Sequence, residues 1–223
     1  MKIVITGASR GIGFELVKLF IASGHQVLAI SRNTDKLSEL AKYGVTPLSF
    51  DLTNEDYTNL IEKVKSFGKI DVLINNAGAL VNKPFSEITN AELLNIYKVN
   101  VFAPFRLVRD LSPYFSSRSH TVNISSVGGV QGSIKFPGLS AYSSSKGALT
   151  ILTECLAEEF KQTKYRFNAL ALGAVQTEML EEAFPDYQAL VSAQEMAKYI
   201  VRFALKDGLY YNGKVLNVSL STP

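Results

Sequence analysis

Apolar residues in this chain fall into short dense runs, separated by longer stretches where they recur every three or four positions. The dense runs cover residues 2–6, 26–31, 46–50, 70–75, 121–125, 166–171 and 214–218. They are mostly aliphatic or β-branched and nearly free of charge, which predicts strands covered on both faces. Between them, residues 13–23, 35–43, 55–67, 91–111, 142–160 and 193–205 carry helical spacing, as with Leu16, Leu19, Phe20 and Ser23. Regular alternation of the two patterns predicts an α/β chain. Its sheet is a doubly wound parallel sheet of about seven strands, a Rossmann fold, in a single domain over 1–223. The least regular stretches are 127–140, rich in Gly and Ser, and 178–192. Loops after strands line the ligand crevice of such a sheet, so these two are expected to form the substrate rim, 178–192 as a short lid.

Composition narrows the function classes. The 223 residues suffice for one well-buried domain. A net charge of +3, from 23 basic and 20 acidic residues without clustering, predicts no nucleic-acid partner. No uncharged apolar run reaches the roughly 20 residues that span a bilayer. The start at Met1-Lys2 leads directly into the first run with no signal-peptide pattern, so a soluble cytoplasmic protein without a membrane partner is expected. Cys155 is the single cysteine, which leaves no intramolecular disulfide, and two separated histidines give no zinc-ligating set. Cys155 is expected to be buried among Leu152, Leu156 and Phe160, and His25 and His120 to lie in loops.

The first run enters Thr6-Gly7-Ala8-Ser9-Arg10-Gly11-Ile12-Gly13 and then a helix. Glycines there allow a tight turn, close approach of backbone to a pyrophosphate, and packing of helix on strand; the helix N-terminus then faces the phosphates. No Gly-Lys-Ser/Thr ending follows, which excludes a phosphate-binding P-loop of the kinase type. The second run ends Ser31-Arg32-Asn33, with no acid until Asp35. An acid would select the ribose hydroxyls of NAD, whereas arginine meets the 2′-phosphate of NADP. Arg32, with Arg10 beside it, therefore predicts NADP(H), the alternative being two solvated surface charges. Asp51 and Leu52, closing the third run, are expected beside the adenine, unless Asp51 merely caps the next helix.

Tyr142 and Lys146 lie four apart, on one helix face. An ammonium near a phenol favours the phenolate, and so makes tyrosine a usable acid–base group. Ser126 ends the fifth run and Asn76-Ala77-Gly78 follows the fourth, while Asn100 interrupts a helical pattern that does not favour asparagine. Ser126 capping a turn, Asn76 shaping one and Asn100 facing solvent are the plain alternatives. In this order, Thr-Gly-x-x-x-Gly-x-Gly, Asn-Asn-Ala-Gly, Asn, Ser and Tyr-x-x-x-Lys resemble the short-chain dehydrogenase/reductase family over essentially the whole chain.

That resemblance implies an NADPH-dependent oxidoreductase that reduces a ketone or aldehyde to an alcohol. Tyr142 matches the catalytic acid–base, Lys146 the residue that binds the nicotinamide ribose and lowers the tyrosine pKa, and Ser126 the hydrogen-bond donor to the substrate oxygen. Asn100 matches the asparagine that kinks its helix and holds a water. Gly7, Ser9, Arg10, Gly11, Ile12 and Gly13 match the cofactor turn, Asn76, Ala77 and Gly78 the segment by the adenine ribose, and Gly173, Val175 and Thr177 the nicotinamide side. Helices 91–111 and 142–160 match the pair that forms the family's dimer interface, so a homodimer or homotetramer is expected.

Three departures qualify this. Leu172 stands where the family commonly has proline. Sixteen positions separate Ser126 from Tyr142, more than is usual, which lengthens the rim around 128–136. The segment after Thr177 is compressed, leaving a small lid whose Met179, Leu180, Phe184 and Tyr187 either close over an apolar substrate or pack a surface helix on its own face, and 219–223 lacks the usual glycine pair, which weakens a tetramer. Rival functions are a 3-oxoacyl thioester reductase, which usually has a fuller C-terminal end, and a non-catalytic NADP-binding sensor or scaffold. An extended-family epimerase or dehydratase would need a second substrate domain.

Overall fold

A computed structural model describes residues 1–220; of the segment 219–223 noted above, Ser221, Thr222 and Pro223 lie outside the described residues. Seven parallel strands, β1 (Lys2–Thr6), β2 (Gln26–Ser31), β3 (Val45–Ser49), β4 (Ile70–Asn75), β5 (Phe115–Ser126), β6 (Arg166–Leu172) and β7 (Lys214–Val218), form one sheet in the order β3-β2-β1-β4-β5-β6-β7. The chain begins in the middle, winds out to β3 and returns to β4, which pairs with β1 through Ile3↔Val72 and Ile5↔Ile74. The strand order thus reverses between β1 and β4, and a crevice opens there at the strand C-termini.

Side chains of a strand alternate between faces, and here both faces are apolar. Ile3 and Ile5 of β1 pack with Leu16, Val17 and Phe20 of α1 (Gly11–Ala22), with Leu37 of α2 (Asp35–Ser38), and with Met196, Ile200 and Phe203 of α8 (Ala193–Leu205). Val4, between them, faces the other way, toward Leu60 and Val64 of α3 (Thr58–Phe67), Leu107 and Leu111 of α5 (Ala103–Leu111), and Ala157 of α6 (Ser140–Glu159). Each fully buried aliphatic side chain stabilises this sandwich by about 1.5–3 kcal/mol. Among the described residues, no helix is long and apolar enough to cross a membrane.

Several elements differ from the sequence pattern. The single helix expected over 91–111 is α4 (Asn90–Tyr97), a π-helical turn Lys98–Phe102, and α5. The pattern at 35–43 gives only the one-turn α2 and a 3-10 turn Ala41–Tyr43, stopped at Gly44 with φ 103°. Strand β5 begins at Phe115: its register with β4 breaks as β5 advances from Phe115 to His120 while β4 goes from Ile70 to Val72. Cys155 is exposed, because it projects from the outward face of α6 while Thr153 and Ala157 point to the sheet.

His120 is a strand residue, only 2% exposed. Asn168 is oriented by the Lys214 amide donating to its Oδ1, so its Nδ2 donates to His120 Nε2 at 3.0 Å. The Ala204 carbonyl lies 3.1 Å from Nδ1, which therefore carries the proton of a neutral imidazole. Burial chiefly holds its pKa down at about 4. Since the unfolded chain protonates this histidine near 6.5, stability is fully present above that pH. Acidification from 6.5 to 4 is expected to remove about 3 kcal/mol from this group alone. Urea titrations at several pH values measure it, and in His120→Gln that part of the acid dependence should be missing.

Candidate active site

The turn after β1 is welded to the turn after β4. Thr6 Oγ1 accepts the backbone N–H groups of Asn76 and Ala77, each at 3.1 Å, and Asn76 Nδ2 donates to the carbonyls of Thr6 at 3.1 Å and Gly7 at 3.0 Å. Asn76 thus bridges two strands at the switch point. A Cβ on Gly13 would lie 2.1 Å from the Gly7 carbonyl oxygen, so only glycine lets α1 settle this close to β1. Gly11, the first residue of α1, takes φ +51°, which puts the α1 N-terminus at the crevice. That terminus has no side-chain cap and no acid in its first turn, so its N–H groups and positive end remain open to an anion. A cradle of this kind fits the pyrophosphate of a dinucleotide.

The far end of the same cleft is built on β2 and β3. Arg32 is exposed, and its carbonyl accepts from Ser49 Oγ at 2.9 Å. Ser31 Oγ donates to Ser9 Oγ at 2.7 Å, which ties the β2 end to the glycine turn. Asp51 Oδ1 accepts the backbone N–H and the hydroxyl of Thr53, both at 2.8 Å. Its carboxyl is held below the usual range, first by the Thr53 N–H and with help from the charge of Arg32. Asp51 therefore caps a turn; α3 starts further on, at Thr58. Leu52 is buried and offers its carbonyl to the Tyr57 hydroxyl at 2.7 Å.

At the other end, polar bonds lock α6 against β5. Asn75 Nδ2 donates to Asn123 Oδ1, and Asn123 Nδ2 donates to Thr153 Oγ1, both at 2.8 Å; Ser125 Oγ donates to the Lys146 carbonyl at 3.0 Å. This seating brings Ser126, Tyr142 and Lys146 onto the wall of one cleft. Burial pushes the Tyr142 phenol above its ordinary value, and the neighbouring Ser126 hydroxyl offsets only part of that rise. Lys146 is 4% exposed; burial brings it down to about 8. Its Nζ donates to the Ile124 carbonyl at 2.8 Å and stands 5.8 Å from the Tyr142 ring centre. The Lys146 ammonium is turned toward the Ile124 carbonyl, and the direction of the Tyr142 shift is set by burial.

Asn100 is fully buried, not solvent-facing. Its Oδ1 accepts from Ala79 N at 2.8 Å, and its Nδ2 donates to the Ala79 carbonyl and to Ser145 Oγ, both at 2.9 Å. The π-helical turn carries Asn100, and these bonds join the loop after β4 to the residue beside Lys146. Of the residues expected at the site, Gly13 and Asn100 stand behind the wall; all the others line one continuous cleft of about 440 Å³. Leu172 continues β6 as a sheet residue paired with Val218, and Gly173 N donates to the Val218 carbonyl at 2.9 Å.

The segment after Thr177 forms α7 (Glu178–Ala183), with the Thr177 hydroxyl accepting from Leu180 N at 3.3 Å. Met179, Leu180 and Phe184, three of the four apolar residues expected in this segment, line the cleft; Tyr187 is not in its lining. Its fastenings were not foreseen. Gln176 Nε2 donates to Glu181 at 2.7 Å and Gln176 Oε1 accepts from Ala189 N at 2.8 Å, Asn82 Nδ2 donates to the Ala183 carbonyl at 2.9 Å, and Arg10 pairs with Glu182 at 2.7 Å. The one legible signal was the spacing of Glu178 and Glu182, four residues apart on one short amphipathic turn.

A phosphate cradle at the switch point of a doubly wound sheet, opening onto Tyr142 and Ser126 beside the buried Lys146, defines a nucleotide-dependent oxidoreductase of the Rossmann class. The family described as short chain dehydrogenase matches residues 1–188, and the chain belongs to it. Nicotinamide cofactors serve this family. Carbonyl reductase (NADPH) 2 of Sus scrofa is 31% identical over 181 residues, covering 80% of this chain and 73% of that protein. A 3-oxoacyl-(acyl-carrier-protein) reductase of Thermotoga maritima is 28% identical over 235 residues, covering 96% of this chain and 94% of that one. Among solved structures, 4-hydroxyisoleucine dehydrogenase complexed with NADH superposes with a TM-score of 0.88 at 26% identity, covering 98% of this chain and 96% of the other.

Proposed function

We propose that this protein is an NADPH-dependent carbonyl reductase, with Tyr142 as general acid. The observation that carries this reading is the convergence of Ser126, Tyr142 and the buried Lys146 on the cleft that begins at the glycine turn, with the Lys146 Nζ 5.8 Å from the Tyr142 ring centre. When bound, a reduced nicotinamide supplies the hydride. Ser126 and the Tyr142 phenol hold the substrate carbonyl oxygen, and the Tyr142 Oη proton passes to that oxygen as charge develops on it. Lys146 contributes the positive charge that stabilises the resulting phenolate. Asn100 acts through position: it fixes the loop after β4 and, through Ser145, the turn of α6 that bears Lys146.

The substrate end of the cleft has apolar walls from Leu80, Val127, Phe136, Leu139, Met179 and Phe184, while Arg10, Arg32, Asp51, Glu178 and Glu182 belong to its phosphate end. Neutral, largely apolar ketones or aldehydes suit that wall. The Thermotoga relative favours a second reading, a 3-oxoacyl thioester reductase using the same residues. A panel of neutral ketones and a 3-oxoacyl thioester, assayed with NADPH, separates the two. We also propose a homo-oligomer. Its support is the exposed apolar face of α4, α5 and α6, with Leu94, Phe105 and Ile151 each at least half exposed. Light scattering that returned a monomer would remove that part.

The NADPH preference rests on Arg32, with Arg10 on the same cleft and no acid at the β2 end until Asp35. NADPH is expected to bind at least about tenfold more tightly than NADH, a difference of about 1.4 kcal/mol. Arg32→Ser should bring the two affinities together. Fluorescence titration of both reduced cofactors against both proteins checks it; equal affinities in the unaltered protein would replace NADP by NAD and leave the reductase chemistry standing.

A further inference from the structure

Two carboxylates of α7 stand at the two places where the phosphates of a dinucleotide would be held. Glu182 Oε1 pairs with Arg10 Nη1 at 2.7 Å. Arg10 is one of the two guanidiniums available for a 2′-phosphate. Glu178 Oε2 lies 3.4 Å from the position of a Cβ on Gly11, beside the uncapped N-terminus of α1. These residues are four apart and so share one face of α7, turned toward the glycine turn. The other lid residues, Met179, Leu180 and Phe184, line the cleft. The remaining fastenings, Gln176 to Glu181 and Asn82 to Ala183, hold the lid at its base and at its end.

We infer that Glu182 and Glu178 compete with the cofactor's phosphates, Glu182 with the 2′-phosphate for Arg10 and Glu178 with the pyrophosphate at the α1 N-terminus, so that these lid carboxylates determine cofactor affinity and selectivity. The Glu182 half rests on the NADPH reading above; the Glu178 half holds for either dinucleotide. The physical basis is exclusion by like charge. A guanidinium already paired with a carboxylate must exchange that partner before it meets a phosphate, and a carboxylate left within a few ångströms of a phosphate repels it. An acidic lid face therefore lowers the affinity for phosphate-bearing ligands and must move off the glycine turn when one binds. Because the same short helix carries apolar wall residues of the substrate end, the exchange at Arg10 also repositions part of that wall.

The test is a set of titrations with NADPH and NADH on the unaltered protein and on Glu182→Gln, Glu178→Gln, Arg10→Gln and the Arg10→Gln/Glu182→Gln double variant. Both glutamates are exposed, so the isosteric glutamines leave the core untouched. Glu182→Gln is expected to tighten NADPH about fivefold, the upper end for one exposed ion pair, with NADH changed less than twofold. In the Arg10→Gln background the same substitution should have no effect. Glu178→Gln is expected to tighten both dinucleotides by a similar factor. NADPH affinity that is unchanged or weaker in Glu182→Gln overturns the Glu182 half, and unchanged affinity for both dinucleotides in Glu178→Gln overturns the other. If the unaltered protein binds NADH as well as NADPH, the NADPH reading fails and takes the Glu182 half with it. Tighter NADH binding by Glu178→Gln would then still support competition at the α1 N-terminus.

Discussion

Replacing Tyr142 by Phe is expected to lower carbonyl-reduction turnover by about a thousandfold, close to 4 kcal/mol of barrier, while NADPH binds within about threefold of normal. The substitution removes one oxygen and leaves the ring, which packs in the same place beside Lys146. What disappears is the phenol hydroxyl that lines the cleft near Ser126, on a ring whose centre is 5.8 Å from the Lys146 ammonium. Without it, a developing alkoxide must take its proton from solvent. Ser126→Ala should show a smaller fall, since Tyr142 remains to donate. Steady-state rates and cofactor titrations on the same preparations separate chemistry from binding. Turnover retained in Tyr142→Phe would pass the role to another group. Turnover absent from the unaltered protein across neutral ketones and thioesters, with NADPH still bound, would favour the sensor.

Much of the fold was legible because its determinants are local. Strand β1 shows why: Val4 turns to one helical layer, Ile3 and Ile5 to the other, and a strand covered twice must be apolar throughout. Seven such runs with six helical patterns between them leave little choice but a parallel sheet. The glycine turn was legible for a similar reason, since close approach of α1 to Gly7 admits no side chain at Gly13. Tyr142, Lys146 and Ser126 were legible only as an ordered set, because each residue type alone occurs often by chance.

What escaped depended on contacts between distant segments. His120 has no apolar signature, yet Asn168 and the Ala204 carbonyl give both its ring nitrogens partners, and so permit its burial. Cys155 sits amid apolar residues in sequence but lies between the rows that face the sheet. Asn100 was expected from the resemblance to kink its helix, and it sits in the π-helical turn; what sequence did not show is that Ala79 and Ser145 satisfy its amide. The lid's anchors, Gln176, Asn82 and Glu182, likewise have partners far away in the chain, and nothing in their own neighbourhoods marks them. Polar residues whose partners are remote are the ones that sequence periodicity does not reach, and in this protein they set the position of α6 and of the lid.

Gly13→Ala tests the part of the structure on which both the fold and the cofactor reading depend. The added methyl carbon would lie 2.1 Å from the Gly7 carbonyl oxygen and 2.6 Å from Asn76 Nδ2. Neither neighbour can yield cheaply. Gly7 is backbone, and Asn76 is committed to the carbonyls of both Thr6 and Gly7. Relief therefore requires α1 to move off β1, which loosens Leu16, Val17 and Phe20 from the larger apolar layer and drags the α1 N-terminus out of line with the cleft. Overpacking of this severity costs about 1–3 kcal/mol, or roughly 3–10 °C in Tm for a chain of this length. Both dinucleotides should bind at least about a hundredfold more weakly, because the pyrophosphate loses an aligned helix end and the cradle's shape together. Differential scanning calorimetry gives the first quantity and cofactor titration the second. A Gly13→Ala protein of normal Tm that bound NADPH normally would mean that α1 and β1 stand further apart than this packing requires, and would remove the structural ground for placing the phosphates there.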